Sequence, residues 1–333
     1  MKKLLNDPRD FVDEMLDGLV SAHSTLKLGG ESARVVHRAS GTWQGKVGVV
    51  SGGGSGHLPL FTGYVGEGLL DACSIGNVFE GPTVGSCVEA IQIANGGRGV
   101  LRLYGNYGGD RMNFDMAGEM LEDDGIRTTT VLGTDDVASA GPAERTKRRG
   151  VAGIIYAYKT AGALAETGAD LDAVTAIAQR TVDRTRTIGV ALAPCQVPGS
   201  NKPSFTLGAD EIEMGMGIHG EPGIWRDKLK PADAVADEMI ERLLAEKPNN
   251  ASTRVSILVN SLGATPLEEL FILFRQARKQ LEAQGLAIVQ PLVGHYATSM
   301  EMAGASFSLC FLDEEIEKLL AAPAHCPFWK VSA

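Results

Sequence analysis

The apolar positions of this chain fall into short runs closed by glycine rather than into long periodic stretches. Near the start, Asp7-Pro8 precedes Phe11, Met15, Leu16 and Leu19, the spacing of one helical face with proline at an early position. A short strand is predicted over 46–50, running directly into a glycine loop, Ser-Gly-Gly-Gly-Ser-Gly-His, at 51–57. A second strand over 99–103 ends at Asn106-Tyr107-Gly108-Gly109-Asp110. The next helix should carry Met112, Phe114, Met116 and Met120, and a β-branched strand follows over 127–132. Helices are predicted over 158–166 and 171–184. Strands alternating with helices indicate a mostly parallel sheet covered on both faces.

Beyond about residue 186 the pattern changes. A strand over 187–193 leads into a Pro/Gly-rich stretch at 193–199, and a second glycine loop occupies 215–223. Helices over 232–245, 266–284 and 313–320 then alternate with strands over 255–260, 287–293 and 305–311. The expected fold is α/β in two domains with a short connection. The first, 1–186, holds a mostly parallel sheet flanked by helices, and the second, 187–333, a smaller mixed sheet with helices.

Composition narrows the function. Apolar residues make up 44% and charged residues 22% of 333, ordinary for a globular protein. A net charge of −10 with no basic stripe argues against nucleic acid, whose phosphates demand clustered Lys and Arg. The densest basic stretch, at 145–149, reads as a solvated helix end. Five scattered cysteines without a CxxC pair indicate neither a disulfide framework nor a zinc ribbon, and read as small buried residues. The first residues contain no signal-peptide core, and no apolar run approaches the roughly 20 residues that span a bilayer. The expectation is a cytoplasmic protein that engages no membrane.

The 41 glycines follow no period and collect where loops would form a site. The 51–57 loop lacks the lysine of a phosphate-binding P-loop. It also fails the dinucleotide fingerprint, since His57 or Pro59 stands where the third glycine belongs, and it fails the esterase elbow. An oxidoreductase built on this loop is therefore disfavoured. A bare turn does not need four glycines in five positions, whose backbone N–H groups can hold the oxygens of a small polar ligand. Of six histidines, His57 and His219 lie in glycine loops after apolar runs, and Asp110 follows a third. Such loops sit at strand carboxyl ends, where one cleft could gather a nucleophile, a base and a donor for a carbonyl-plus-hydroxyl substrate. No histidine pair has zinc-ligand spacing, so no metal is expected.

These residues carry a family resemblance. Ser51-Gly-Gly-Gly-Ser-Gly-His57, Asn106-Tyr-x-Gly-Asp110 with Asn113-Phe114, Lys202-Pro-Ser-Phe-Thr-Leu207, Gly217-Ile-His-Gly-Glu-Pro-Gly223, Asn260-Ser-Leu-Gly-Ala-Thr-Pro266 and Thr298-Ser-Met resemble the substrate-binding K subunit of dihydroxyacetone (glycerone) kinases over nearly the whole chain. The resemblance implies that His219 adds to the ketone carbon of a short ketose as a hemiaminal, excluding polyols such as glycerol. It implies that Asp110 accepts the proton of the attacking hydroxyl, that His57 assists at the former carbonyl oxygen, and that Gly53 and Gly54 donate amides. A separate nucleotide-binding L subunit would supply ATP, or ADP recharged by a phosphotransferase-system protein, with Mg. No cofactor is expected in this chain, and the resemblance suggests a homodimer in glycerol metabolism.

Three positions depart from the family pattern. Leu58 stands where an acidic residue is common, Gly81 where serine is frequent, and Gly105 where a lysine commonly contacts substrate. Gly81 and Gly105 are thus also substrate-side candidates. Removing polar partners shifts discrimination, so a four-carbon ketose is a candidate substrate beside dihydroxyacetone, with Arg102 or Arg111 offering replacement contacts. A non-catalytic ketose sensor is the alternative reading, against which the retained Asp110 argues.

Overall fold

A computed structural model describes residues 2–332. They form two compact units: one runs to Gly133 and adds Ile155–Thr181 and the chain from Lys318, and the other holds Thr134–Ile154 and Val182–Glu317. The chain thus crosses between units at 133/134, 154/155 and 317/318 as well as at 181/182, near the expected boundary.

The first unit opens with α1 (Phe11–Ala22), which buries Leu16 and Leu19 of the expected face together with Val12, while Phe11 and Met15 are half-buried. Strands β1 (Leu26–Gly29), β2 (Val35–Arg38), β3 (Gly48–Ser55), β4 (Ala72–Val78), β5 (Val100–Gly105) and β6 (Thr128–Gly133) make one sheet. Its order is β1-β2-β4-β3-β5-β6. Pairing is antiparallel at β1–β2 and β2–β4 and parallel across β4, β3, β5 and β6. Helices α2 (Val84–Ala94), α3 (Gly108–Asp123), α4 (Ile154–Glu166) and α5 (Leu171–Asp183) follow in chain order. Ile91 of α2 and Phe114 and Leu121 of α3 bury against Val50, Val100 and Tyr104. On α3 only Phe114 of the four expected apolar residues turns inward; Met112, Met116 and Met120 are exposed. They recur four residues apart, so they share one face, and that face points to water.

In the second unit, β7 (Thr185–Ala193), β8 (Glu211–Met214), β9 (Trp225–Lys228), β10 (Arg254–Ser261), β11 (Ala287–Ile288), β12 (Leu292–Gly294) and β13 (Ala303–Phe311) form a mixed sheet. Among the described residues it has seven strands to the first sheet's six, so it is not the smaller of the two. Helices α6 (Ala232–Leu244) and α7 (Leu267–Ala283) bury Met239, Ile240, Leu270 and Leu281 against Ile188, Ile257, Phe307 and Phe311. The strand expected over 287–293 is broken into β11 and β12, with Gln290 between them at φ 48°. Of the basic stretch, Arg145 and Lys147 are exposed in the last turn of a 3-10 helix, Pro142–Lys147, as expected, but Arg148 is not. Arg148 is buried and grips Glu246 through two bonds of 2.6 and 2.7 Å, a bidentate pair that satisfies the guanidinium away from water. Helix α8 (Glu314–Ala321) leads back to the first unit, where β14 (Ala324–His325) and β15 (Lys330–Val331) pair. No described helix is long and apolar enough to cross a membrane.

Candidate functional site

The glycine run at 51–57 is not a loop after a strand; most of it is the strand. β3 continues through Ser55 with every residue buried, paired to β4 as far as Ser55↔Val78. The glycines are there because neighbours press in. A Cβ on Gly53 would lie 2.4 Å from the Phe61 ring, and one on Gly54 would lie 2.8 Å from the backbone nitrogen of Glu80. On the other side, the β3–β5 ladder ends at Val50↔Arg102, while β5 stays paired to β6 as far as Gly105↔Gly133. The chain leaves β3 for β4 on one side and returns through α2 to β5 on the other. This reversal of strand order is where open α/β sheets receive ligands, at the strand carboxyl ends. Gly53, Gly54 and His57 stand at that end of β3, and Gly105 and Asp110 at that end of β5.

His57 is buried, at 1% exposure. Its ring stacks on Phe79 at 5.1 Å and 22° and meets Phe61 edge-on at 6.2 Å. Both phenylalanines adopt left-handed backbone, with φ 69° at Phe61 and 61° at Phe79. That conformation costs a bulky residue about 1–3 kcal/mol and persists only where surroundings enforce it. The sequence reading missed both rings; nothing in their local pattern announces a left-handed aromatic.

Asp110 is buried in the first turn of α3, where the helix dipole favours a carboxylate. Its Oδ1 lies 2.4 Å from where a Cβ of Gly81 would stand. The space left by the absent side chain at 81 is therefore filled by Asp110, not left open to a larger ligand. Arg102 is buried and donates to Phe114 O and, at 3.4 Å, to Asp115 of α3, so it is packed under the helix. Arg111 is exposed.

His219 belongs to the second unit. It lies in the connection of the antiparallel β8–β9 hairpin, beyond the carboxyl end of β8. Its backbone N–H donates to Glu221 Oε2 at 2.9 Å, and its Nδ1 meets Glu221 Oε1 at 3.1 Å. Burial would raise the Glu221 carboxyl, but hydrogen bonding and charge at His219, its own backbone N–H and Arg149 hold it down to about 2. Arg149 Nη1 is 3.9 Å from Oε2. An ionised carboxylate can only accept, so Nδ1 carries the ring proton and the lone pair of the neutral ring is on Nε2. Glu221 was quoted within a motif but given no role; its place two residues after His219 was the available signal. No group of three or more His, Cys, Asp or Glu able to hold a metal occurs among the described residues.

The Dak1 domain model matches residues 17–328. The dihydroxyacetone-binding subunit of the PTS-dependent dihydroxyacetone kinase 2 of Listeria innocua is 43% identical, covering 99% of this chain and all of the relative. The chain belongs to the dihydroxyacetone kinase family. Another relative in this family, the D-erythrulose kinase of Mycolicibacterium smegmatis, is 41% identical over the whole chain, which spans 57% of that protein. Among solved structures, the dihydroxyacetone kinase of C. freundii in complex with AMP-PNP and Mg2+ superposes with a TM-score of 0.91 at 31% identity. It is matched over 99% of this chain and 61% of that one. A dihydroxyacetone kinase operon co-activator superposes with a TM-score of 0.89 at 33% identity, over 98% and 99% of the two chains. The two mixed sheets flanked by helices are the fold of this family.

Proposed function

We propose that this Dak1-family chain is the ketose-binding subunit of a kinase that phosphorylates a terminal hydroxyl of a short ketose. The observation that carries the reading is Glu221 held ionised against Nδ1 of His219. It directs the Nε2 lone pair to the ketone carbon, forming the N–C bond as the carbonyl π bond breaks. The ring becomes cationic in that step, and the adjacent carboxylate stabilises it. His57, fixed between two rings, supplies a hydrogen bond to the former carbonyl oxygen, and the Gly53 and Gly54 amides hold the sugar. Asp110 accepts the proton of the terminal hydroxyl as that oxygen attacks phosphorus. In this reading Gly105, at the end of β5, and Gly81, beyond β4 and against the Asp110 carboxylate, are substrate-side positions.

The donor is a nucleotide with Mg on a separate L-type subunit, fed by ATP or by a phosphotransferase-system protein; the name of the Listeria relative supports the latter. The D-erythrulose kinase relative supports a four-carbon ketose beside dihydroxyacetone. Saturation by dihydroxyacetone far below the concentration needed for erythrulose would exclude that substrate. We place the subunit in the cytoplasm, as a homodimer in glycerol metabolism.

Incubating the chain with dihydroxyacetone or erythrulose should add the full mass of one ketose, and His219→Ala should abolish the increment. An unchanged mass in the unmodified chain defeats the reading. A ketose sensor is the second reading, favoured by the likeness to the operon co-activator. Adding an L-type subunit and Mg-ATP decides: a sugar phosphate identifies the kinase, and a persistent adduct without turnover identifies the sensor.

A further inference from the structure

We propose that the second unit carries an anion site of its own, a cavity walled by Arg145, Arg186 and Lys247 that takes inorganic phosphate or the phosphate group of a small monoester. The cavity measures about 190 Å3 and is also lined by Glu246 and Asn249, which leaves room for a small anion with several waters. Three separate pieces of chain meet there. Arg145 comes from the 3-10 helix Pro142–Lys147, Arg186 is the second residue of β7, and Glu246, Lys247 and Asn249 follow the end of α6. None of His57, Asp110 or His219 lines it, so the proposal is independent of the kinase reading.

The charges at this cavity do not balance. Glu246 is the carboxylate of its wall, and Arg148 already holds both oxygens at 2.6 and 2.7 Å. Arg186 is buried, at 3% exposure, and its Nε reaches only Glu246 Oε2, at 3.5 Å and without hydrogen-bond geometry. Its Nη1 donates to the carbonyls of Asp183 and Thr185 at 2.9 and 2.7 Å, and Nη2 donates to nothing among the described residues. Burial, together with the charges of Arg145 and Arg148, draws this guanidinium down to about 10, against the opposing pull of Glu246 and Asp183. Arg145, exposed, and Lys247, half-buried, enter no ion pair among the described residues. Four cations thus face two carboxylates, one of which is already engaged. Water can satisfy the spare N–H groups, but it leaves the excess charge uncompensated. A tetrahedral phosphate supplies both charge and acceptors, with enough oxygens to meet two guanidinium groups and an ammonium at once, where a carboxylate has only two. The carbonyls at the end of α6 are turned to other work: those of Leu243 and Leu244 accept from Glu246 N and Lys247 N at 3.3 and 3.1 Å.

The test is calorimetric titration of the full chain with inorganic phosphate and with glycerol 3-phosphate, neither of which offers His219 a ketone, against acetate at equal ionic strength. At least one phosphate probe should bind once per chain, at least about tenfold tighter than acetate. Arg145→Ala and Lys247→Ala should each weaken it at least about threefold, and the double variant at least about tenfold. In both single variants Tm without ligand should stay within about 2 °C, which separates a lost ligand contact from a lost fold. Arg186→Gln should remove binding; if that variant does not fold, the two outer variants decide. Tighter binding of glycerol 3-phosphate identifies an ester as the ligand, and preference for inorganic phosphate identifies the free ion. No binding of either phosphate probe, acetate bound equally well, or a double variant that binds like the unmodified chain overturns the proposal.

Discussion

At the scale of single residues, the chemistry rests on neighbours that hold a group in one protonation state. Glu221 is the clearest case, since its carboxyl is held down to about 2 from an ordinary 4.5. A depressed carboxylate contributes stability that is complete above its unfolded value and is lost as pH falls through the folded one. Urea unfolding should therefore show a loss of stability between pH 4.5 and about 2 that is smaller in Glu221→Gln. The same variant should slow ketose capture about tenfold, because a neutral amide stabilises the ring cation poorly. Equal acid sensitivity in both proteins would remove Glu221 from this account. His219 and Asp110 were legible as candidates from their glycine-flanked settings. Glu221, Phe61 and Phe79 were not assigned, because their roles come from ring and carboxylate geometry that one-dimensional spacing does not encode.

At the scale of elements, glycine serves two distinct ends. In β3 it admits neighbouring backbone and rings, and at the start of α3 it faces open space. Gly54→Ala sets a Cβ within 2.8–2.9 Å of the Phe79 and Glu80 backbone, and main chain cannot turn aside. It should destabilise the protein by about 1–3 kcal/mol or more. Gly109→Ala meets nothing within 4 Å and should stabilise by about 0.5–1 kcal/mol, through lost freedom in the unfolded chain. Denaturant midpoints of the two variants shifting in the same direction would refute this contrast. Periodicity located α6 and α7 well, because each presents one apolar face to one layer, and β10 was found as a short apolar run that is buried on both faces. It failed over 51–55, where a run of glycines looks like a loop although the sheet closes around it.

At the scale of the whole molecule, the chain returns to its first unit at the end. Ala324, Cys326 and Trp329 are buried there, with Trp329 edge-on to Tyr64 at 6.3 Å. Glu67 and His325 exchange backbone hydrogen bonds of 2.9 and 3.1 Å, and the buried Lys159 donates to Leu319 O at 2.6 Å. A chain ending at Glu317 should lose at least about 3 kcal/mol, the scale of deleting one buried aromatic. It should also bind a hydrophobic dye and lose near-ultraviolet dichroism from this unit. A truncated chain with an unchanged unfolding midpoint would show that the segment contributes nothing.

The sequence by itself determined the α/β character, most helices, the glycine-flanked histidines and aspartate, and the family. Each depends on local periodicity or on contiguous motifs, which survive in one dimension. Only the tertiary structure decided that 51–55 is strand, that the three methionines of α3 face water and that the chain crosses between units several times. It alone placed the Asp110 carboxylate in the space at Gly81, and it alone tied Nδ1 of His219 to an ionised Glu221. Those outcomes depend on which distant backbone or side chain occupies a given volume, and only the folded chain specifies that occupancy.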